Sequence, residues 1–191
     1  MRRASAALGA GGAVVLAIAA LAQQPGPPAS RPAPVAKAPL AYFAAHCARC
    51  HGPHGSFYGA EFGAKRSDED LRKIVHEMAE GPGGAPIAGP DLDAQVAYHR
   101  SLIDRKPFLV WTLARGTALA GEVSPGAVVT ARAGARPLPV KATGTRWSVT
   151  LPKGVPARAV VLTARKGGAT SVLALASAAF THSQPLAPGS E

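Results

Sequence analysis

Aromatic side chains are scarce in this chain. Phe, Trp and Tyr together account for 5% of its 191 residues, although 47% of the residues are hydrophobic. Because large aromatic residues supply much of the buried surface of an extensive core, this composition favours two small hydrophobic cores over a single large one. The 18 Pro and 21 Gly residues indicate linkers, turns and short strands rather than a helical bundle throughout.

Acidic residues are nearly missing from the second half of the chain. Residues 40–107 hold eight Lys or Arg and nine Asp or Glu, whereas residues 108–191 hold nine Lys or Arg and two acids. Much of the formal net charge of +10 therefore comes from the second segment. This asymmetry predicts two modules, the second of which would face an anionic lipid surface or an acidic protein. The alternative is a basic surface that only keeps the protein soluble.

The N-terminal residues have the composition of a targeting segment. Arg2 and Arg3 precede an uncharged, apolar stretch over residues 6–21, and small residues before Gln23 suit a cleavage site. The length of this stretch is near the lower limit for a membrane-spanning helix. Residues 1–22 are therefore interpreted as a signal peptide or an uncleaved membrane anchor. Both interpretations predict a protein that is periplasmic or otherwise outside the cytoplasmic membrane, and they argue against nucleic acid as a partner.

The next part of the chain divides where its composition changes. Residues 23–39 are rich in Pro and Ala, which predicts an extended linker. Residues 40–107 carry apolar residues at helical spacing and predict three helices. The first of these is expected over residues 40–52, and Ser67 and Asp91 are expected to cap the second and third.

From residue 108 onward the pattern changes to short segments rich in Val, Thr and Ala. Seven such segments, separated by Gly, Pro and basic turns, predict an antiparallel β-sandwich over residues 108–182. The segments are residues 108–113, 118–123, 127–133, 138–142, 146–151, 159–164 and 171–178. Residues 183–191 are predicted to be a disordered tail. The expected fold class is thus α plus β in two modules, a small all-α domain followed by an antiparallel β-sandwich.

The only two cysteines of the chain lie in a Cys-x-x-Cys-His sequence at residues 47–51. Thiols three positions apart at a helix end lie on one side and can bond to the two vinyl groups of one haem, and the imidazole that follows then faces the iron. The sequence therefore predicts one covalent haem c held by Cys47 and Cys50, with His51 as the proximal iron ligand.

Three other uses of this motif compete with haem attachment. A redox-active thiol pair normally begins a helix after a strand, whereas this pair ends a helix. A structural zinc site needs four ligands, and only His46, His51 and His54 accompany the thiols nearby. A structural disulfide across two intervening residues would constrain little of the chain.

Residues 40–107 resemble the small class I c-type cytochrome domain. The stretch "YFAAHCARCHGPHG" is similar to the first helix and haem-binding turn of that family, "DLRKIVHEM" to its middle helix and "AQVAYHRSL" to its C-terminal helix. The resemblance implies three helices around a covalent haem. It also implies an electron carrier rather than an enzyme, with a redox protein such as a respiratory complex or a dehydrogenase as partner. The stretches "LAGEVSPGAVVTAR" and "RWSVTLPKG" are similar to bacterial immunoglobulin-like modules.

The second axial ligand departs from the pattern of that family. The family usually supplies a Met from a Met-Pro pair after the middle helix, and this chain has Ala85 followed by Pro86 at the matching place. Met78 lies a few residues earlier and is the predicted distal ligand, because an axial thioether is common in cytochromes c. His99 and His76 are the alternatives.

Three functions remain open from the sequence. The first is an exported monohaem cytochrome that carries one electron and docks through its basic β-sandwich. The second is a haem enzyme or gas sensor with an open sixth iron position, which the missing Met-Pro pair allows. The third is an interaction protein whose β-sandwich binds a partner in a larger respiratory complex.

Overall fold

Residues 38–59, 61–63 and 65–176 are described by a computed structural model of the chain. These residues all belong to one compact unit. The predicted signal peptide or anchor and the predicted C-terminal tail lie outside the described residues, as does all of the predicted linker except its last two residues.

The predicted fold class is wrong. The described residues form four helices followed by eight strands in two four-stranded antiparallel sheets, so the fold is β-rich and its helical part is not a three-helix cytochrome domain. The helices are α1 (Pro39–His46), α2 (Ala48–His51), α3 (Asp68–Glu80) and α4 (Gly89–Ile103). The strands are β1 (Leu109–Arg115), β2 (Ala118–Val123), β3 (Val128–Ala133), β4 (Arg136–Leu138), β5 (Val140–Thr143), β6 (Arg146–Thr150), β7 (Val160–Lys166) and β8 (Ala169–Ala174).

The additional helix arises because the predicted first helix is interrupted. Cys47 has a φ of −116°, well away from the helical value, and it separates α1 from the four-residue α2. Gly52 then ends α2 with a φ of 75°, a conformation that favours glycine. The motif at residues 47–51 therefore begins at the turn residue Cys47 and continues through α2, rather than lying at the end of one continuous helix.

The ends of α3 and α4 show how local chemistry sets helix boundaries. The prediction that Ser67 caps the second long helix is confirmed, because its Oγ accepts a hydrogen bond of 3.0 Å from the backbone N–H of Asp70. The prediction for Asp91 is wrong. Helix α4 begins at Gly89, since Pro90 suits the first helical turn, and Asp91 lies inside that turn.

The additional strand arises at Pro139. The segment predicted as one strand over residues 138–142 divides there into β4, which pairs with β3, and β5, which pairs with β6. Proline has no N–H for a ladder hydrogen bond, so the chain leaves one sheet and joins the other at this residue. The resulting strand orders are β1-β2-β6-β5 and β4-β3-β7-β8.

The two sheets share one hydrophobic core. Trp147 on β6 is fully buried there together with Leu162 on β7 and Leu173 on β8. The Trp147 ring lies against Gly121 on β2, where a Cβ atom would collide with that ring and with the backbone of Val110. Glycine is therefore required at residue 121, because Val110 on β1 and Trp147 on β6 both approach the backbone of β2 closely.

The helices enclose two smaller apolar clusters. One joins α1 and α4 to the start of β1 through residues such as Phe43, Tyr98 and Phe108. The other joins α1, α3 and α4 and includes Leu71 and Val75. We refer to residues 38–103 as the helical region and to residues 109–176 as the strand region; the first cluster packs them against each other.

Candidate functional site

An apolar cavity of about 180 Å³ lies within the helical region, between α1, α3 and α4. The residues that line it come from every helix and from the loop after α2. They are Tyr42, Cys47, His51, Tyr58, Phe62, Leu71, Ile74, Val75, Met78, Ala79, Gln95 and His99. The cavity thus brings together two residues of the Cys-x-x-Cys-His motif and two of the three predicted distal ligands.

The two thiols of the motif differ in their exposure. Cys47 is half-buried and packs against both apolar clusters of the helical region, whereas Cys50 is exposed. Both are free thiols. Burial raises the pKa of the Cys47 thiol, and the neighbouring Cys50 raises it further. A redox-active thiol pair requires a lowered pKa, so this environment does not favour that alternative.

His51 lies at the end of α2, beside the aromatic residues of the following loop. Its ring centroid is 4.7 Å from that of Tyr58, and Tyr58 stacks on Phe62 at 3.7 Å with nearly parallel planes. The backbone carbonyl of His51 also accepts a hydrogen bond of 3.0 Å from the N–H of Phe57. These contacts hold the imidazole at the cavity wall, next to the Cys47 thiol.

His99 on α4 is the most deeply buried imidazole of the cavity, with 7% of its surface exposed. Its Nδ1 lies 2.8 Å from the backbone carbonyl oxygen of Gln95. Burial lowers the pKa of His99 to about 4, although that hydrogen bond acts in the opposite direction, and the ring is therefore neutral near pH 7.

Met78 and His76 are on different sides of α3. Met78 lines the cavity, and 45% of its surface is exposed. The Nε2 of His76 lies 3.5 Å from a carboxylate oxygen of Glu80, in a surface depression that also includes Glu69 and Arg72. The structure therefore brings Met78 and His99 to the cavity and leaves His76 outside it.

Ala85, which stands where the resemblance to class I cytochromes c would place a Met, is held by its backbone. Its carbonyl accepts a hydrogen bond from the Tyr42 hydroxyl, and its N–H donates to the carbonyl of Ala79. The Ala85 side chain packs against the second apolar cluster. The loop that follows α3 thus contributes the methyl group of Ala85 to the second apolar cluster.

A wider depression of about 590 Å³ adjoins the cavity and shares three of its lining residues, Phe62, Leu71 and Ile74. Lys65 and Arg66 lie at its rim. Glu61 lines the same depression, so its charged residues are two cations and one carboxylate.

Two features of the site have no signal in the sequence pattern. Gln95 Oε1 is buried without a hydrogen-bond partner among the described residues, and Gln95 lines the cavity. The buried carboxylate of Glu122, on β2, accepts hydrogen bonds of 2.7 and 3.3 Å from the backbone N–H groups of Leu40 and Ala41. Glu122 therefore caps α1, the helix that leads to Cys47, from 81 and 82 residues away along the chain.

Comparison of the chain with protein-family models, with curated proteins and with solved structures found no match. In the part of the chain that the structure describes, no three or more His, Cys, Asp or Glu side chains are grouped so that they could hold a metal ion. None of the helices in that part is long and apolar enough to cross a membrane.

Proposed function

We propose that this protein is an exported electron carrier with one haem c bound through thioether bonds to Cys47 and Cys50. One observation carries the proposal: Cys47 and His51 line the same apolar cavity. Covalent attachment would hold the cofactor without the need for a large enclosing pocket. His51 would serve as the proximal iron ligand.

The residues around the cavity suit a porphyrin in kind. The walls are apolar or aromatic, and Lys65 and Arg66 lie at the rim of the adjoining depression, where the anionic propionate groups would need cations. The cavity itself, at about 180 Å³, is smaller than usual cofactor pockets of roughly 300–1,000 Å³. The haem would therefore extend into the adjoining depression and displace Phe62.

When bound, the haem supplies reversible one-electron chemistry between Fe(III) and Fe(II). The chain's own residues bind and orient it. Leu71 and Val75 are buried beside the cavity and would exclude water from one side of the group, and Tyr58 would hold the imidazole of His51 in place. The exposed Cys50 lies toward solvent, so one edge of the cofactor would remain accessible to a redox protein.

The test is expression of the full chain in the periplasm of a host that attaches haem c. We expect the mass to increase by one haem, and we expect the attachment to survive denaturation in acid. Cys47→Ala and Cys50→Ala should each weaken or abolish it, and His51→Ala should abolish it. His54→Asn is the matched control, because His54 has a φ of 53° that Asn tolerates. A wild-type chain that acquires no haem would refute the proposal.

The basic strand region supports docking to an acidic redox protein. Residues 123–176 carry eight Lys or Arg and no Asp or Glu, and all of these cations except the half-buried Arg132 are exposed. Lys141 and Arg146 lie along a shallow groove on the sheet β1-β2-β6-β5, over small side chains such as Ala120. Such a surface attracts anionic partners and accelerates their association.

Docking can be tested with polyglutamate as the anionic probe and with anionic phospholipid vesicles as the competing surface. We expect the double variant Lys141→Glu and Arg146→Glu to weaken polyglutamate binding by more than tenfold. Arg165→Glu with Lys166→Glu changes the net charge equally on the other sheet and is the matched control. Equal losses in the two double variants would show that only the total charge matters, and preference for the vesicles would indicate a lipid surface.

A further inference from the structure

The cavity contains two residues that could complete the coordination of an iron ion, Met78 and His99. They differ in how the protein holds them. Met78 is 45% exposed at the cavity wall, and a thioether needs no hydrogen-bond partner, so its position is explained by packing alone. His99 is buried at 7% exposure, and a buried imidazole is costly unless both of its nitrogens are satisfied.

Aromatic rings surround the His99 side chain on several sides. The ring centroids of Phe43, Tyr58, Phe62 and Tyr98 lie 5.7 to 6.4 Å from its own. These neighbours pack around the imidazole, and none of them forms a hydrogen bond with its ring nitrogens. Van der Waals packing by itself would be served equally well by Leu at this position.

The hydrogen bond of His99 determines which nitrogen is free. A backbone carbonyl can only accept, so the contact of 2.8 Å means that Nδ1 donates to the oxygen of Gln95. Nε2 is then the nitrogen that carries the lone pair, and among the described residues it has no hydrogen-bond partner. Histidines that bind metal ions have this arrangement, with one nitrogen donating to a carbonyl and the other directed at the metal.

Gln95 contributes a second polar group without a partner. Its side-chain nitrogen donates a hydrogen bond of 2.6 Å to the carbonyl of Pro39, which anchors the amide to the start of α1. Its Oε1 is buried and has no hydrogen-bond partner among the described residues. Gln95 and His99 are one helical turn apart and both line the cavity, so α4 carries two side chains there that each have a polar atom without a hydrogen-bond partner among the described residues.

We propose that Nε2 of His99 is the second axial ligand of the haem iron, so that two histidines, His51 and His99, coordinate it. This inference rests on the proposed function, because it requires the covalent haem. It replaces Met78, which the resemblance to cytochromes c favours. It also removes the open sixth position that a haem enzyme or gas sensor would need.

The experiment begins with the haem-loaded wild-type chain. Covalent haem, read from the mass, tests the proposed function independently of the ligand. Electron paramagnetic resonance and near-infrared magnetic circular dichroism of the ferric protein then distinguish two imidazole ligands from imidazole with thioether. We expect the signature of two imidazoles and no change in the ferrous absorption spectrum on addition of carbon monoxide. A thioether signature, or a high-spin iron that binds carbon monoxide, would overturn the proposal.

Variants of the haem-loaded chain provide the second measurement. His99→Leu should convert the iron to a high-spin form that binds carbon monoxide, while Met78→Leu and His76→Leu should remain low-spin. His99→Ala should regain the low-spin spectrum when imidazole is added, which a packing role would not produce. Because the wild-type spectra already decide the ligand, the proposal stays falsifiable even if His99→Leu fails to acquire haem. Conversion by Met78→Leu alone would overturn it.

Discussion

The helical region and the strand region differ in how completely each fills its own interior. The core between the two sheets is one cluster that includes two fully buried Trp side chains. The helical region instead divides its apolar residues between two clusters and leaves a cavity of about 180 Å³ between them. The interior of the strand region is therefore packed more completely than that of the helical region, and a group bound in the cavity would stabilise the helices more than the strands.

The two regions also use charge differently. The helical region pairs its charges on the surface, as in Arg72 with Asp93 and Arg100 with Asp68. The strand region has no acidic residue after Glu122 within the described residues, and Glu122 is itself occupied by α1. Cations without neighbouring acids add little to stability, which is compatible with the docking role proposed for them.

The largest expected effect on stability comes from removing Trp147, a fully buried side chain in the core of the strand region. Trp147→Ala should lower the free energy of unfolding by about 3–5 kcal/mol, because a large buried ring is lost together with its Nε1 hydrogen bonds to two carbonyls. Urea denaturation of the full chain measures this. Thr150→Ala, at an exposed position of the same strand, should change stability by less than about 0.5 kcal/mol. A small loss for Trp147→Ala would mean that the strand core is not the stable part.

The cavity provides the next largest effect. A group that filled this cavity would stabilise the helical region by about 2–5 kcal/mol, the range by which emptying a buried apolar site of side-chain size destabilises a protein. We therefore expect hydrogen exchange in α1, α3 and α4 to be slower in the haem-loaded chain than in the Cys47→Ser, Cys50→Ser double variant. Exchange in β3 and β7 should be unchanged. Equal slowing in both regions would contradict the distinction drawn between them.

The contact between the regions has an intermediate effect. Glu122→Ala leaves the N–H groups of Leu40 and Ala41 without their acceptor and should cost about 1–3 kcal/mol in unfolding free energy. Glu122→Gln retains an acceptor oxygen and should cost less. The exposed Glu77→Gln is the matched control, with an expected change below about 0.5 kcal/mol. A Glu122→Ala protein as stable as wild type would show that α1 does not depend on β2.

The smallest expected effect is the contribution of Glu122 to the pH dependence of the free energy of unfolding. Burial raises the pKa of this carboxyl above its ordinary value of 4.5, although hydrogen bonds from Leu40 and Ala41 act in the opposite direction. The unfolded chain then loses the proton at lower pH than the folded chain does. Stability should accordingly fall as the pH rises from 4.5 to the raised pKa, and this contribution should be constant above it.

The measurement is the difference in unfolding free energy between wild type and Glu122→Gln across that range, because the other titrating groups cancel in the difference. Wild type should lose stability relative to the variant as the pH increases. A difference that stays constant would mean that folding does not shift the pKa of Glu122, and a change in the opposite direction would mean that the surroundings stabilise the carboxylate; either result would contradict the prediction.

Features that depend on neighbours in sequence could be predicted. The Ser67 cap needs only the residues of one helical turn, and strand β2 has the bounds predicted for it from its composition and the turns that flank it. The interruptions at Cys47 and Pro139 were missed although the residues themselves were conspicuous. The spacing of apolar residues that predicts a helix continues through Cys47, and residues that favour strands continue on both sides of Pro139. The sequence pattern therefore predicts one element at each place where the backbone forms two.

The candidate site divides in the same way. The sequence by itself determined the chemistry of the motif: two thiols and an imidazole at a spacing typical of haem attachment, near a Met and several His residues. Only the tertiary structure decided which of those residues lie together, because that depends on how α1, α3 and α4 pack. It placed Met78 and His99 at the cavity with His51, turned His76 toward Glu80, and brought Glu122 to the start of α1. Contacts between residues far apart in the chain arise from packing rather than from local preference, and no local pattern encodes them.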